Sequence, residues 1–299
     1  MRRPRFKPDD RPLFYHLYNR VAGEPEFLPF GPKEKERFVQ LLHQLDLFFT
    51  VKVVAYQVMS NHFHLVVQAP KELPTPEEIC RRYKAYYGGR RILTPSDPRC
   101  AKLGQRMRDI SWYMQMLEQK FSRWYNRTRK TRRRGSLWAE RFKHTLLGDA
   151  QAVWSCCKYV EMNSVRANRV LNPADYRFSS YGAWCGRGRH PFEAHVREIL
   201  LPFLAGVYPV QTPAELREAF RIAFAGIVAQ PANADGQVAP FTADLDRKVR
   251  YWVDGLVIGS ELFIQDMIIQ SRGILRARTR GLSRTKATPL CCYKQLRAI

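Results

Sequence analysis

The sequence predicts an α+β sandwich, with helices laid over a central, mostly antiparallel sheet. Two observations predict it. Strand-like and helix-like segments follow one another as β-α-β-β-α-β-α through residue 168. Two of the strand-like segments are separated only by a two-residue turn, which forces an antiparallel hairpin. Helices facing one side of such a sheet bury an apolar stripe each, and that is the economical packing for this element order.

Taken in order, LFYHLYNR (13–20) is aromatic-rich and reads as the first strand. Residues 21–32 hold Pro25, Pro29 and Pro32 with Gly23 and Gly31, and read as a loop. KEKERFVQLLHQLDLFF (33–49) places apolar residues at 38, 41, 42, 45, 48 and 49, the spacing of an amphipathic helix. TVKVVAYQVM and HFHLVVQA are the next two strands, with Ser60-Asn61 as their turn. Residues 71–105 carry prolines, the Gly88-Gly89 pair and several bases, and read as an irregular insertion. SWYMQMLEQKFSRWYNRT (111–128) is a long helix, and 141–147 is a strand after a basic turn. Asp149 is placed to cap a helix running through 149–168.

Beyond residue 168 the character changes. LNPADYRFSSYGAW is loop-like, and helical segments are expected near 190–204, 213–229 and 242–253. The chain is therefore divided into 1–185, the sandwich, and 186–299, a mainly helical, basic accessory region and possible DNA-binding domain. Within the latter, YWVDGLVIGSELF (251–263) reads as helix-turn-helix-like, and the stretch 267–299 holds eight Lys/Arg and no acid.

Fifty Lys+Arg face 27 Asp+Glu, a formal net charge of +23. Such an excess repels itself and persists where a polyanion compensates it, so nucleic acid is the leading partner. The seven cysteines form no CxxC pair, which suits reduced thiols rather than a disulfide or zinc framework. The amino terminus lacks the apolar core of a signal peptide, and no apolar run approaches the roughly 18 residues of a membrane span. A soluble, cytoplasmic protein without membrane contact is expected.

Two places carry candidate chemistry. His62 and His64 lie two apart on one strand, so both project from one face while Phe63 projects from the other. They could bind one divalent cation, divide the roles of base and hydrogen-bond partner, or simply be half-buried imidazoles satisfied by carbonyls. Two ligands are an incomplete metal site. In KYVEMN (158–163), Tyr159 and Asn163 are one helical turn apart and share a face. A tyrosine hydroxyl can act as a nucleophile, and an amide oxygen is a hard ligand suited to Mg²⁺ or Mn²⁺; the pair is equally compatible with a boundary aromatic and a helix-end amide.

Taken together these residues resemble the single-tyrosine HUH transposases, most closely the REP-associated tyrosine transposase-like branch. His62-Phe63-His64 is the His-hydrophobic-His motif, preceded by SN. YHLYNR (15–20), LWAERFKHTLL (137–147), KYVEMNSVRANRV (158–170) and YRFSSYGAW (176–184) are similar to the family's other blocks, in the family's order. The resemblance implies a ferredoxin-like sandwich and cleavage of single-stranded DNA through a 5′-phosphotyrosine link. It implies Tyr159 as the nucleophile, and His62, His64 and Asn163 as ligands of Mg²⁺ or Mn²⁺. Ser164 stands where the family has proline and Asn168 where it has glycine, while Glu161 is a rival oxygen donor expected on another helix face.

The expected DNA contacts are Arg123, Arg127, Arg129, Lys130, Arg132, Arg133, Arg134, Arg141 and Lys143, with Trp138 stacking on unpaired bases. The expected function is a metal-dependent endonuclease and strand transferase, acting as a transposase on single-stranded or hairpin DNA, as a monomer or homodimer. No small-molecule substrate is expected. The alternative is a catalytically silent nucleic-acid-binding regulator on the same fold.

Overall fold

The computed structural model describes residues 7–8, 10–24, 26–129, 135–228, 252, 256–271, 282–284 and 291–293. Its first unit runs β1 (Leu13–Arg20), α1 (Pro32–Asp46), β2 (Lys52–Val58), β3 (His62–Ala69), α2 (Pro76–Tyr86), α3 (Arg99–Arg108), α4 (Ile110–Arg127), β4 (Lys143–Leu147) and α5 (Ala150–Glu161). There follow α6 (Asn163–Arg166), α7 (Ser180–Arg187), α8 (Glu193–His195), a π-helical turn (Val196–Leu200), α9 (Leu201–Ala205) and α10 (Pro213–Val228). The last elements are β5 (Val257–Gly259), α11 (Glu261–Gln270), β6 (Leu282–Arg284) and β7 (Cys291–Tyr293).

The strands form one mixed sheet in the order β2-β3-β1-β4-β5-β7-β6. β1 pairs antiparallel with both β3 and β4, β2 pairs antiparallel with β3, and β5 joins β4 in parallel. Alternation along the strands divides the sheet into two faces. Tyr15 and Leu17 of β1 with Phe63, Leu65 and Val67 of β3 pack into one core, under Phe38, Leu41, Leu42 and Leu45 of α1 and Met114, Leu117 and Phe121 of α4. Phe14 and Val66 face the other core, with Val153, Cys156, Cys157 and Val160 of α5 and Leu216 and Phe220 of α10. The strands are apolar on both sides because both sides are covered. A fully buried side chain such as Phe63 is worth about 1.5–3 kcal/mol in removed apolar surface.

Several sequence expectations need correction. The stretch 71–105 is not irregular throughout, for it contains α2 and most of α3. Thr75 starts α2 by accepting from the Glu78 amide, and Pro76 follows at the first helical position, where its missing N–H costs nothing. The helix expected over 149–168 is broken at Met162 into α5 and α6. Residues 180–184, expected as loop, begin helix α7, capped by the Ser179 hydroxyl accepting from the Gly182 amide at 3.0 Å. The helix-turn-helix reading of 251–263 fails at Val257–Gly259, whose short apolar run is strand β5 at the sheet's parallel joint. The region 186–299 thus supplies strands as well as helices. The segment expected as helix over 242–253 lies outside the described residues, except Trp252.

After α6 the chain turns through Asn168, at φ +49°. That is the left-handed region, where asparagine is the best tolerated residue after glycine. Asparagine therefore suits this turn. Among the described residues no helix is long and apolar enough to cross a membrane.

Candidate tyrosine and histidine site

The register of β1 against β3 assembles the site. Tyr18 lies opposite His64 and Arg20 opposite His62, and His16 lies on the same face two residues before Tyr18. His62, His64, His16 and Tyr18 therefore share the face that α5 covers. The His62 and His64 rings are 5.2 Å apart, and Tyr18 stacks on His64 at 4.9 Å. From α5, Tyr159 presents its ring edge-on at 5.5 Å from His64 and 5.7 Å from His16. Trp252 stacks on the outer side of Tyr159 at 5.8 Å.

Burial sets the charge of this cluster. It pushes the His62 imidazole down to about 4, with Arg20, Arg166 and Lys35 adding to the effect. Burial also pushes His64 well below its ordinary value, helped by His16, His62 and Arg166. Both are neutral at pH 7 and so retain a lone pair for a ligand or a proton. Burial raises the Tyr159 phenol to about 12, against which the Arg166 guanidinium, 5.2 Å from the ring centroid, favours the phenolate. His62 Nδ1 lies 2.8 Å from the Asn61 amide oxygen, which can only accept, so Nδ1 carries the hydrogen and Nε2 keeps the lone pair.

These groups fit a divalent cation in part. Two neutral imidazoles on a rigid strand are suitable donors. Among the described residues no group of three or more His, Cys, Asp or Glu could hold a metal, and the third donor expected from the sequence is the Asn163 oxygen. Asn163 sits just past the break in α5. Its Nδ2 donates to the Tyr159 and Val160 carbonyls at 3.2 and 3.4 Å, closing the end of the helix. Its Oδ1 accepts from Arg166 at 3.4 Å.

Glu161 does not compete for that role. It is buried on another face of α5, where its carboxylate accepts from the Ser180 hydroxyl and, at 3.1 Å, from the Tyr181 amide. Ser180 also accepts from the Tyr56 amide at 3.0 Å, so the SSY segment ties the end of α5 to β2. Burial raises the Glu161 carboxyl to about 7.

The expected nucleic-acid contacts divide. Arg123, Arg127 and Arg141 are exposed. Arg123 and Arg141 line a groove of about 590 Å³ along α4, together with Glu118, Gln119 and Asn126. Arg129 is engaged within the protein: it pairs with Glu34 at 2.5 Å and lies 4.2 Å from the Tyr125 ring centroid. Lys143 pairs with Glu140 at 3.1 Å. Trp138 is no free stacking platform. It is buried against Phe63, Phe121 and Phe30, and its indole N–H donates to the Glu118 carbonyl at 3.3 Å. Lys130, Arg132, Arg133 and Arg134 lie outside the described residues.

Sequence reasoning assigned no role to His16, Arg166 or Trp252. His16 stood in a quoted motif, and the alternation rule places it on the same face of its strand as Tyr18, but only the β1–β3 register brings it to His64. Trp252 gave no local signal at all.

No protein-family model matches the chain, and no curated protein does. Among solved structures, that of a REP-associated tyrosine transposase bound to a REP hairpin is similar, at 14% identity and a TM-score of 0.40. The match covers 64% of this chain and 90% of that chain.

Proposed function

We propose that the chain is a metal-dependent single-strand DNA endonuclease and strand transferase of the tyrosine type. The observation that carries the proposal is the convergence of Tyr159 with His62 and His64 on one covered face of the sheet. Two further features support it. The strands β4-β1-β3-β2 lie in the order of a ferredoxin-like β-α-β-β-α-β unit. The charge of +23 suits a polyanionic substrate, single-stranded or hairpin DNA.

In this reading the Tyr159 oxygen attacks a backbone phosphorus. The phosphorus–tyrosine bond forms as the bond to the 3′ oxygen breaks; the phenol loses a proton, and the 3′ oxygen gains one. Arg166 lowers the cost of ionising the phenol. His62 and His64, with Asn163 once released from Arg166, would hold Mg²⁺ or Mn²⁺, which when bound supplies Lewis-acid stabilisation of the phosphate. A 3′-OH from another strand can reverse the step and join DNA. Arg123 and Arg141 lie on the α4 side of the sheet, and hold flanking phosphates rather than the scissile one.

The test is incubation of the protein with Mn²⁺ and a labelled hairpin carrying single-stranded flanks. A covalent protein–DNA adduct is expected, and it disappears in Tyr159→Phe. No adduct with wild type, or an adduct that survives the substitution, refutes the assignment.

A second reading, a catalytically silent nucleic-acid-binding regulator, has one observation in its favour. Tyr159 is only 9% exposed, against His64 and Trp252. It requires salt-sensitive DNA binding with no adduct and no response to His62→Ala.

A further inference from the structure

His16 has no part in the chemistry above, yet it is buried at the centre of the site, 1% exposed. Both of its ring nitrogens are engaged. Nδ1 lies 2.9 Å from the carbonyl oxygen of Trp252, and Nε2 lies 2.9 Å from Nδ1 of His64. The same carbonyl accepts from the Thr145 hydroxyl at 3.2 Å. The two imidazole planes are within 14° of parallel.

The hydrogens in this chain can be assigned from the one group that cannot donate. A carbonyl oxygen only accepts, so His16 Nδ1 carries a hydrogen. His16 is buried and its partners are a carbonyl and an imidazole rather than a carboxylate, so its ring stays neutral and has only that one N–H. His16 Nε2 is then a lone pair and must accept from His64 Nδ1. His64 is equally buried and so neutral, and with its hydrogen on Nδ1 its Nε2 is bare. The opposite orientation, with His16 donating from Nε2, would place the hydrogen of His64 on Nε2 and leave neither nitrogen able to bind a metal.

We propose that His16 is a positioning residue, which locks His64 in the tautomer protonated at Nδ1 and so presents the Nε2 lone pair to a divalent cation. The proposal rests on the metal-dependent reading above. It gives the two histidines a common outcome by different means: Asn61 sets the tautomer of His62, and a carbonyl one imidazole further away sets that of His64. Groups one layer behind a metal ligand fix its orientation and basicity in this way. The carbonyl belongs to Trp252, whose ring stacks on Tyr159, so one residue braces both the metal-facing and the nucleophilic halves of the site.

Two measurements test it. The first is long-range hydrogen–nitrogen correlation NMR of the histidine rings in metal-free protein at neutral pH. His64 is expected with Nδ1 protonated and Nε2 bare; a hydrogen on His64 Nε2 overturns the proposal. The second is Mn²⁺ affinity by electron paramagnetic resonance titration. His16→Phe keeps the volume and removes the acceptor, and should weaken binding by about 10- to 100-fold. His16→Gln, whose amide oxygen can still accept from His64 Nδ1, should bind close to wild type. Equal affinity in His16→Phe and wild type, or equal losses in both variants, overturns the proposal. If His16→Phe does not fold, the glutamine variant and the nitrogen correlation decide. Wild type that binds no Mn²⁺ sinks the metal reading itself, whereas the tautomer is read without metal.

Discussion

Tyr159 and Trp252 stack with ring centroids 5.8 Å apart and planes 24° apart, although they lie far apart in the chain. The stack does two things: it covers the phenol, and it ties Trp252 to α5. Trp252→Ala removes an aromatic pair worth about 0.5–1.5 kcal/mol beyond its buried area, and about 1–3 kcal/mol in all. Desolvation is what raises the Tyr159 phenol to about 12, so hydrating it moves the value down toward the ordinary one near 10. A urea midpoint gives the first effect and NMR titration of ring-labelled tyrosine the second. An unchanged Tyr159 titration would show that Trp252 does not shield it.

Glu161 gives a pH dependence with a definite sign. Its carboxyl is raised by burial to about 7, so between the unfolded value near 4.5 and about 7 the folded chain holds a proton that the unfolded chain has lost. The stability this group contributes is complete below the unfolded value and is lost as pH rises through the folded one. Glutamine cannot lose the proton. The stability of wild type relative to Glu161→Gln should therefore fall by about 3 kcal/mol between about pH 4 and about pH 8, each tenfold difference in proton affinity being worth about 1.4 kcal/mol. Taking the difference cancels the opposite slope of the buried histidines, whose depressed values favour the fold at higher pH. Denaturant curves of both proteins at the two pH values measure it, and a constant difference would contradict a raised carboxyl.

The arginines of the basic stretch should separate in solution as they do in the structure. Arg141 is exposed on the groove, and its replacement by alanine should reduce the salt slope of single-strand DNA binding by about 0.7, one phosphate contact. Arg129 pairs with Glu34 and lies over Tyr125, so Arg129→Ala should leave that slope alone and cost about 1–2 kcal/mol of stability, by stranding a carboxylate. Binding measured across a salt series, with thermal unfolding of both variants, distinguishes them. Equal slopes for Arg141→Ala and wild type would remove the groove from the DNA path.

What the sequence revealed depended on the range over which each signal acts. β1, β2, β3, α1 and α4 were legible because a two-residue or 3.6-residue period is local. His62 and His64 sharing a face follows from the same rule. His16 is two residues from Tyr18, but its partnership with His64 needs the β1–β3 register, which no local pattern encodes. Trp252 reaches the site only through long-range packing. Trp138 misled because an indole inside a basic stretch looks like a stacking surface; composition gives no face, and the fold spends the ring on filling the space beneath Phe63 and Phe121. The helices within 71–105 were hidden by their prolines and glycines, although Thr75-Pro76 was a start signal in plain view.

Asn168 offers the simplest check on how α6 ends. Its φ of +49° lies where a β-carbon is strained, and the Arg169 amide donates to the Ser164 carbonyl at 2.8 Å across the turn. Asn168→Gly should be neutral or stabilising by a few tenths of a kcal/mol, since glycine is at ease in this region. Asn168→Ala should cost about 1 kcal/mol, because alanine has neither glycine's freedom nor the side-chain hydrogen bonding that lets asparagine adopt it. The turn follows α6, which carries Asn163 and Arg166. If the strain propagates, Asn168→Ala should also weaken Mn²⁺ binding, while Asn168→Gly leaves it unchanged. Denaturant midpoints and metal titrations on the two variants settle the matter, and an alanine variant as stable as the glycine one would mean that the turn is not held at positive φ in solution.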